Sequence, residues 1–409
     1  MKHVRQNYKV LFITLNNVWR YGNIGIDQLT GYLCEKGFNI NIQYYSNRHA
    51  VQEIIKTIDM SYDFYGFSVN SSNYEKCCEI ARIIKENNKE AIIDFGGGYP
   101  TRYYREIAHD NSCVDYMVLG DGEIPTEYLL DVLSRNKAFQ CNERVVHESI
   151  ATKYDLDGKK DFFNGEVTWE PAYDYYLYDT SQRNSRKVHC IQTKNNVCTG
   201  NCSFCTERHG KIVYKDIDSI VNQIEYVNKK FGVQKIYFTD DNILDPNNDV
   251  AKERIILLCN KLREKNLKLA YQCYIKAISI DDTPYDNELL ELMHDTGFVE
   301  IFVGIEAGNN QDLKLYNKHT TVEDNYKVIR LLKRHKIFPI IGYIAFNPYS
   351  SKERIADNFK YLCDIECTYH ITHARISTRY KTLMQLIQCR KHHPQQRRQY
   401  HNQTCPLSY

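Results

Sequence analysis

The stretch Val197-Cys198-Thr199-Gly200-Asn201-Cys202-Ser203-Phe204-Cys205 is the most informative part of this sequence. Its cysteines follow the spacing Cys-x3-Cys-x2-Cys, which 15 cysteines placed at random in 409 residues would produce only about 0.02 times. Thiolates are soft ligands for zinc or for iron–sulfur clusters, and a structural zinc normally takes four protein ligands. Because the local set stops at three, it favours a cluster with one open iron, with structural zinc as the alternative.

The cysteine motif directly follows the strand of the first of six predicted strand and helix units. Six units are too few for a complete eight-stranded barrel, so we predict a partial (β/α)6 barrel whose chemistry lies on the loops after the strands. The predicted strands are residues 188–193, 235–239, 268–275, 299–305, 339–346 and 370–377, and the predicted helices are 217–230, 250–265, 287–294, 322–335 and 352–363.

Residues 8–134 also alternate short apolar runs with amphipathic stretches, which predicts an α/β domain with a parallel sheet and helices on both faces. Two of its apolar runs end in glycine-rich turns, at 96–100 and 120–123. Glycine at the end of a strand lets the backbone approach a ligand closely. The alternative is that these glycines only form tight turns.

The chain is therefore predicted to have four parts. Residues 1–140 form a doubly wound, Rossmann-like domain, 141–185 a packed linker or lid rich in tyrosine, and 186–377 the partial barrel. Residues 378–409 form a basic, polar tail without Asp or Glu, which we interpret as a truncated or frame-altered C-terminus. A basic interaction arm is the alternative interpretation of the tail.

Composition excludes several kinds of partner. The 53 basic and 51 acidic residues nearly cancel, so no global field attracts nucleic acid or a membrane surface. The N-terminus lacks the apolar core of a signal peptide, and no run of about 18 apolar residues occurs. We expect a cytoplasmic protein with mostly reduced thiols and no membrane or nucleic-acid partner.

With Phe204 before its last cysteine, the motif resembles the hallmark of the radical S-adenosylmethionine (SAM) superfamily. The resemblance implies that Cys198, Cys202 and Cys205 hold a 4Fe–4S cluster whose open iron chelates SAM. An electron, from a donor such as flavodoxin or ferredoxin, would then cleave SAM to methionine and a 5'-deoxyadenosyl radical. Phe204 is included among the implied cofactor-binding residues.

Two further barrel segments resemble the same superfamily. Residues 237–242 close the second strand, where the family binds the methionine amino group, so the resemblance implies that Asp240 and Asp241 contact SAM. The turn Gly304-Ile305-Glu306-Ala307-Gly308 resembles the family's Gly-Ile-Glu-Ser-Gly, with alanine in place of serine, and implies that Glu306 binds the ribose. A solvated loop acid is the alternative for Glu306.

The N-terminal domain resembles the cobalamin-binding module of the cobalamin-dependent radical SAM branch. The matching segments are 63–68, 96–101 and 120–123. An Asp-x-His-x-x-Gly motif is absent from residues 1–150, so a bound cobalamin would receive no histidine ligand from it; many members of the branch also lack the motif. The implied cobalamin-binding residues are Ser68, Gly96, Gly97, Gly98, Gly120 and Glu123.

In that branch, cobalamin commonly delivers a methyl group to a carbon radical. The leading hypothesis is therefore cobalamin-dependent C-methylation of a small molecule, namely a secondary metabolite, or of a peptide. One alternative is a cobalamin-independent radical SAM enzyme with a vestigial N-terminal domain. Another is a non-catalytic scaffold in which Cys198, Cys202 and Cys205 bind structural zinc. A separate cluster, Cys363, Cys367, His370 and His373, superficially offers a zinc tetrad, but we favour core thiols and turn histidines there.

Overall fold

The computed structural model describes residues 2–16, 23–135, 145–147, 188–195, 197–205, 212–245, 249–347 and 349–365. Strands and helices alternate through these residues and form two α/β units, one with a six-stranded sheet and one with a five-stranded sheet. This arrangement confirms the predicted doubly wound domain followed by a partial barrel. Most of the predicted linker, the sixth predicted barrel strand and the tail lie outside the described residues.

The N-terminal sheet has the strand order β2-β1-β3-β4-β5-β6, in which the first five strands are parallel. The order reverses between β1 and β3, so the carboxyl ends of these strands border the crevice where open α/β sheets bind ligands. The edge strand β6 is antiparallel and falls within the segment predicted as linker. The strands are β1 Lys9–Asn16, β2 Asn39–Ser46, β3 Phe64–Ser68, β4 Ile92–Gly96, β5 Tyr116–Val118 and β6 Val145–His147.

Helices cover both faces of this sheet. In β1, Leu11 and Ile13 belong to one buried cluster, while Val10 and Phe12 belong to the cluster on the opposite face. Burial on both faces explains the continuous apolar runs in the sequence. The helices are α1 Lys2–Asn7, α2 Ile24–Glu35, α3 Val51–Ile55, α4 Tyr74–Asn87, α5 Gly98–Asp110 and α6 Glu123–Ser134.

The second domain is a curved parallel sheet whose strands pair in chain order. Its strands are β7 Val188–Ile191, β8 Lys235–Phe238, β9 Ala270–Lys276, β10 Phe298–Glu306 and β11 Phe338–Tyr343. The helices are α7 Ile217–Phe231, α8 Asp249–Glu264, α9 Pro284–Thr296, α10 Asn310–Leu315, α11 Val322–Arg334 and α12 Lys352–Asp364. The helix α10 is not among the helices predicted from the sequence.

The sequence of β9 shows how the barrel acquires two different faces. Tyr271, Cys273 and Ile275 are buried in the cluster shared with the helices, while the alternating Tyr274 and Lys276 are only partly buried. Because side chains alternate across a strand, the second set faces the barrel interior.

Within the described residues, no helix has the length and apolarity needed to cross a bilayer.

Helix caps set the boundaries of the barrel helices. The side chains of Asp216, Thr321 and Ser351 accept hydrogen bonds from backbone N–H groups in the first turns of α7, α11 and α12. Gly232 and Gly297 end α7 and α9 in the left-handed conformation. These signals explain why the predicted helices begin and end within a few residues of the observed ones.

Candidate active site

The cysteine loop, residues 197–205, follows β7 and is held by the loop after the adjacent strand β8 and by residues just after α10. The Thr199 amide donates to Asp245 Oδ2 at 2.6 Å, and the Ser203 amide donates to the Tyr316 carbonyl at 2.9 Å. Asn317 Nδ2 donates to the Asn201 carbonyl at 2.6 Å. The loop is therefore fixed at three points before any cofactor binds.

The three cysteines of the loop are accessible, with Cys198 and Cys202 half-buried and Cys205 exposed. The Gly200 amide donates to Cys198 Sγ at 3.3 Å, and hydrogen bonds to sulfur help set the potential of iron–sulfur clusters. A Cβ at Gly200 would lie 3.2 Å from Lys276 Nζ and 3.4 Å from Cys198 Sγ, so a side chain there would press on both groups.

Two lysines supply positive charge beside the thiols. Lys276 Nζ, at the end of β9, lies 3.3 Å from Thr199 Oγ1 and 3.4 Å from Asp245 Oδ1. Burial raises the pKa of the Cys202 thiol, and the charges of Lys318 and Lys276 oppose that rise. Because metal ligation requires thiolates, nearby cations favour the form that binds iron.

The arrangement of the three cysteines suits an iron–sulfur cluster and does not form a site for a single metal ion. Across the residues that the structure describes, no three His, Cys, Asp or Glu side chains are arranged to hold one metal ion. A 4Fe–4S cluster does not require such convergence, because each thiolate binds a different iron. Cys198, Cys202 and Cys205, with the lysines beside them, therefore have the chemistry and the accessibility that a cluster requires.

Glu306 ends β10 in an unusual backbone conformation, with φ of 64°. Non-glycine residues at positive φ are uncommon and often mark functional sites. Lys318 Nζ donates to Glu306 Oε1 at 3.2 Å, and both side chains are largely buried. A Cβ at Gly304 would lie within 2.9 Å of both partners, so this ion pair depends on a glycine.

The short helix α10 connects the Glu306 turn to the cysteine loop. Its Asp312 is fully buried and accepts from Asn347 Nδ2 at 2.9 Å and from Arg354. Asn347 also donates to the Tyr316 hydroxyl at 2.9 Å, and the Tyr316 ring meets Phe204 edge to face at 5.5 Å. The network thus fixes the aromatic residue of the cysteine motif.

The predicted SAM contact Asp240 has a role that the sequence analysis did not foresee. It is buried, and its Oδ1 accepts from the amides of Thr193 at 3.0 Å and Lys194 at 3.1 Å. Burial raises the pKa of Asp240, and the charge of Lys194 opposes the rise. Asp240 therefore positions the segment that leads into the cysteine loop. Asp241 beside it is half-buried, and contact of either residue with SAM stays a prediction.

A cavity of about 300 Å³ lies between the two domains. It is bounded by the carboxyl ends of β1, β3, β4 and β5 and by the segment after β7. Of the predicted cobalamin-binding residues, Gly98 does not line it, whereas Ser68, Gly96, Gly97, Gly120 and Glu123 do. The barrel side contributes Gln192, Lys194, Asn195 and Lys215.

Two glycines beside this cavity allow close packing. A Cβ at Gly66 would lie 2.5 Å from the Phe12 ring, and a Cβ at Gly97, where φ is 103°, would lie 2.9 Å from the Val69 carbonyl oxygen. Ser68 Oγ on the cavity wall accepts from Asn23 Nδ2 at 2.9 Å. The volume of the cavity is at the lower end of the range for small-molecule sites, so the cavity fits the nucleotide arm of a corrinoid better than the whole ring.

Comparison with protein families matches both domains. Residues 8–130 match the B12 binding domain, and residues 194–362 match the radical SAM superfamily. At the level of the family, these matches confirm the predicted cofactors: a 4Fe–4S cluster and SAM for the barrel, and cobalamin for the N-terminal domain.

Among characterised proteins, the chain is similar to the anaerobic magnesium-protoporphyrin IX monomethyl ester cyclase of Synechocystis sp. The two are 24% identical over 295 residues, which cover 68% of this chain and 55% of the cyclase. The chain thus spans about half the length of this relative.

Two solved structures have the same fold. The cobalamin-dependent SAM radical enzyme OxsB, with aqua-cobalamin and SAM bound, superposes with a TM-score of 0.70 and 21% identity over 95% of this chain and 56% of the OxsB chain. The radical SAM methyltransferase TsrM from Kitasatospora setae, with tryptophan and a SAM analogue, has a TM-score of 0.68 and 17% identity over 88% of this chain and 72% of that chain. With both domains matched in sequence and in fold, the chain joins a B12 binding domain to a barrel of the radical SAM superfamily.

Proposed function

We propose that this protein is a cobalamin-dependent radical SAM methyltransferase that acts on carbon in a peptide or a secondary metabolite. The observation that carries the proposal is that residues just after β7 contact both the cavity and the cysteine loop. Gln192 and Lys194 line the cavity between the domains, and Lys194 Nζ donates to the carbonyl of Val197, the residue before the first cysteine. A group in the cavity and a cluster on the loop would therefore be neighbours.

Cys198, Cys202 and Cys205 would hold the cluster, which, when loaded and reduced, supplies the electron that cleaves SAM to a 5'-deoxyadenosyl radical. Gly200 donates a hydrogen bond to one of the sulfurs, and Lys276 and Lys318 compensate the negative charge of the thiolates. The paired Glu306 presents a carboxylate at the end of β10, where it would accept hydrogen bonds from the SAM ribose.

The N-terminal domain would hold cobalamin, which carries a methyl group when bound. Ser68 and the glycine-rich turns after β4 and β5 would contact the nucleotide arm in the cavity, and Asn23 would orient Ser68. The cavity and the cysteine loop would thus offer separate binding regions for the methyl carrier and for SAM.

The relatives support this reaction class. TsrM is a radical SAM methyltransferase whose structure contains a tryptophan substrate, and OxsB binds cobalamin and SAM together. A peptide or secondary-metabolite substrate, an electron donor such as flavodoxin or ferredoxin, and a cytoplasmic location are further parts of this proposal.

The test uses anaerobic protein reconstituted with iron, sulfide and cobalamin, reduced with dithionite and supplied with SAM labelled on its methyl group with deuterium. We expect 5'-deoxyadenosine, together with labelled methylcobalamin on the protein, measured by mass spectrometry. The Cys202→Ala protein is the control and should give no 5'-deoxyadenosine. Formation of 5'-deoxyadenosine with no cobalamin retained would instead support the cobalamin-independent enzyme, and absence of both products would contradict the proposal.

A further inference from the structure

Asp94 is an acid in the middle of an otherwise apolar strand. It lies in β4, is 4% exposed, and lines the cavity between the domains. On the neighbouring strand its register partner is Gly66, which in turn pairs with Phe12 of β1. Because residues in register lie side by side on one face of a sheet, Gly66 separates Asp94 from Phe12, whose ring lies over the glycine, and all three residues line the cavity.

This carboxyl is incompletely satisfied. Its Oδ1 atom is buried and has no hydrogen-bond partner among the residues that the structure describes. The Val118 amide donates a hydrogen bond to the carboxyl. Two further effects act on the ionisation of Asp94: its burial and the negative charge of Asp115. Burial raises the pKa of Asp94 well above its ordinary value. Burial therefore favours the protonated carboxyl, the form that can donate a hydrogen bond.

The surroundings restrict what could accept that proton. Phe12 and Val118, which belong to one buried cluster, form apolar walls near Asp94. The rest of the lining carries charges of both signs, from Asp121, Glu123, Lys194 and Lys215. A flat, uncharged heteroaromatic ring with one ring nitrogen lone pair matches these walls and this donor. In cobalamin the nucleotide base has that chemistry whenever it is not coordinated to cobalt.

We propose that Asp94 recognises the nucleotide base of the corrinoid by donating a hydrogen bond to its ring nitrogen. This inference rests on the proposed use of cobalamin and adds a specificity residue to it. A buried polar group without a partner destabilises a protein, and such groups persist where a ligand completes them. Asp94 would thus select corrinoids that carry a base with an acceptor nitrogen.

The test compares binding of hydroxocobalamin with binding of cobinamide, which lacks the nucleotide arm, by absorbance titration of the iron-loaded protein. We expect Asp94→Ala to bind cobalamin about tenfold more weakly while its affinity for cobinamide stays the same. Asp94→Asn keeps a donor of the same shape and should recover binding to within about threefold. Asp115→Asn is the matched control, because Asp115 is an acid of the same sheet that bonds to Lys85 and the Ile93 amide and does not line the cavity.

A second readout separates recognition from a structural role. Removing an unsatisfied buried acid should leave the melting temperature of the cobalamin-free Asp94→Ala protein equal to or above that of the wild type. An equal loss of affinity for cobalamin and cobinamide, no loss for either, or a lower melting temperature in Asp94→Ala would overturn the proposal. If the wild type loads iron but binds no cobalamin, both the proposed cobalamin dependence and the inference about Asp94 fail. If the wild type binds cobalamin and the Asp94 variants bind it equally well, only the inference about Asp94 fails.

Discussion

Lys318 Nζ lies 3.2 Å from Glu306 Oε1, and both residues influence the ionisation of the Cys202 thiol. The two residues come from different loops, after β10 and after α10, and the pair brings them to the same edge of the barrel as the cysteine loop. A largely buried pair beside the three cysteines can fix the orientation of the carboxylate and balance the charge of the thiolates. It therefore gives Glu306 a defined place at the candidate SAM site.

Replacing Glu306 by alanine should weaken SAM binding by about 1 to 3 kcal/mol, because a charged acceptor for the ribose hydroxyls is lost. Anaerobic calorimetry with the iron-loaded protein measures the change. Glu306→Gln keeps an acceptor oxygen and should lose less affinity, while iron content in both variants controls for damage to the cluster. Unchanged SAM affinity in Glu306→Ala would mean that Glu306 is only a loop acid.

Replacing Cys202 by alanine should abolish the cluster and all formation of 5'-deoxyadenosine, since two thiolates hold it poorly. Iron analysis and absorbance near 400 nm check this result. Cys113→Ala is the matched control, because Cys113 is a half-buried thiol of the N-terminal domain and should not alter the iron content. A fully active Cys202→Ala protein would refute the assignment of the motif.

Replacing Gly66 by alanine should displace the Phe12 ring, which lines the cavity, because the new Cβ would lie 2.5 Å from that ring. We expect weaker cobalamin binding and a loss of stability of about 1 to 3 kcal/mol from overpacking. Thermal unfolding and cobalamin titration provide the two measurements. Gly98→Ala, whose Cβ would have no neighbour within 4 Å, is the control for stability. Wild-type cobalamin binding by Gly66→Ala would show that the cofactor does not use this cavity.

The Asp312 network should make stability dependent on pH in the acid range. Burial raises the pKa of Asp312, but the hydrogen bonds from Arg354 and three asparagines outweigh burial and hold it below its ordinary value. An acid with a lowered folded pKa stabilises the protein above its unfolded pKa of about 4, and that contribution disappears as the pH falls through the folded value.

Asp312→Asn should accordingly destabilise the protein at pH 7 by about 1 to 3 kcal/mol, with the difference from wild type shrinking below about pH 4. Melting curves of both proteins between pH 3.5 and 7 measure this trend. A difference that stays constant, or that grows as the pH falls, would contradict the assignment of a charged Asp312.

Much of this architecture could be predicted because the local signals agree with the fold. The strict alternation of β9 and caps such as Thr321 and Gly232 mark element boundaries without reference to the rest of the chain. The helix α10 escaped prediction because six residues are too few to show an amphipathic period. Its role depends on contacts such as that of Tyr316 with Ser203, which are distant in sequence.

The candidate site was predictable only in part. The cysteine spacing is a local pattern, whereas the pairing of Lys318 with Glu306 depends on how two loops meet after folding. At the end of β8, the sequence could not decide which of Asp240 and Asp241 turns inward; Asp240 does so and caps backbone amides. Asp94 is visible in the sequence as an acid inside an apolar run, but its place on the wall of the cavity is known only from the structure.

The most direct test of the central claim is an elemental count of iron and cobalt per chain. The protein would be reconstituted anaerobically with iron, sulfide and hydroxocobalamin, desalted, and analysed. We expect about four iron atoms and about one cobalt atom per chain, because one cluster and one cobalamin occupy separate regions. Four iron atoms without cobalt would contradict the methyl-carrying role of the N-terminal domain, and a protein loaded with zinc in place of iron would contradict the radical enzyme itself.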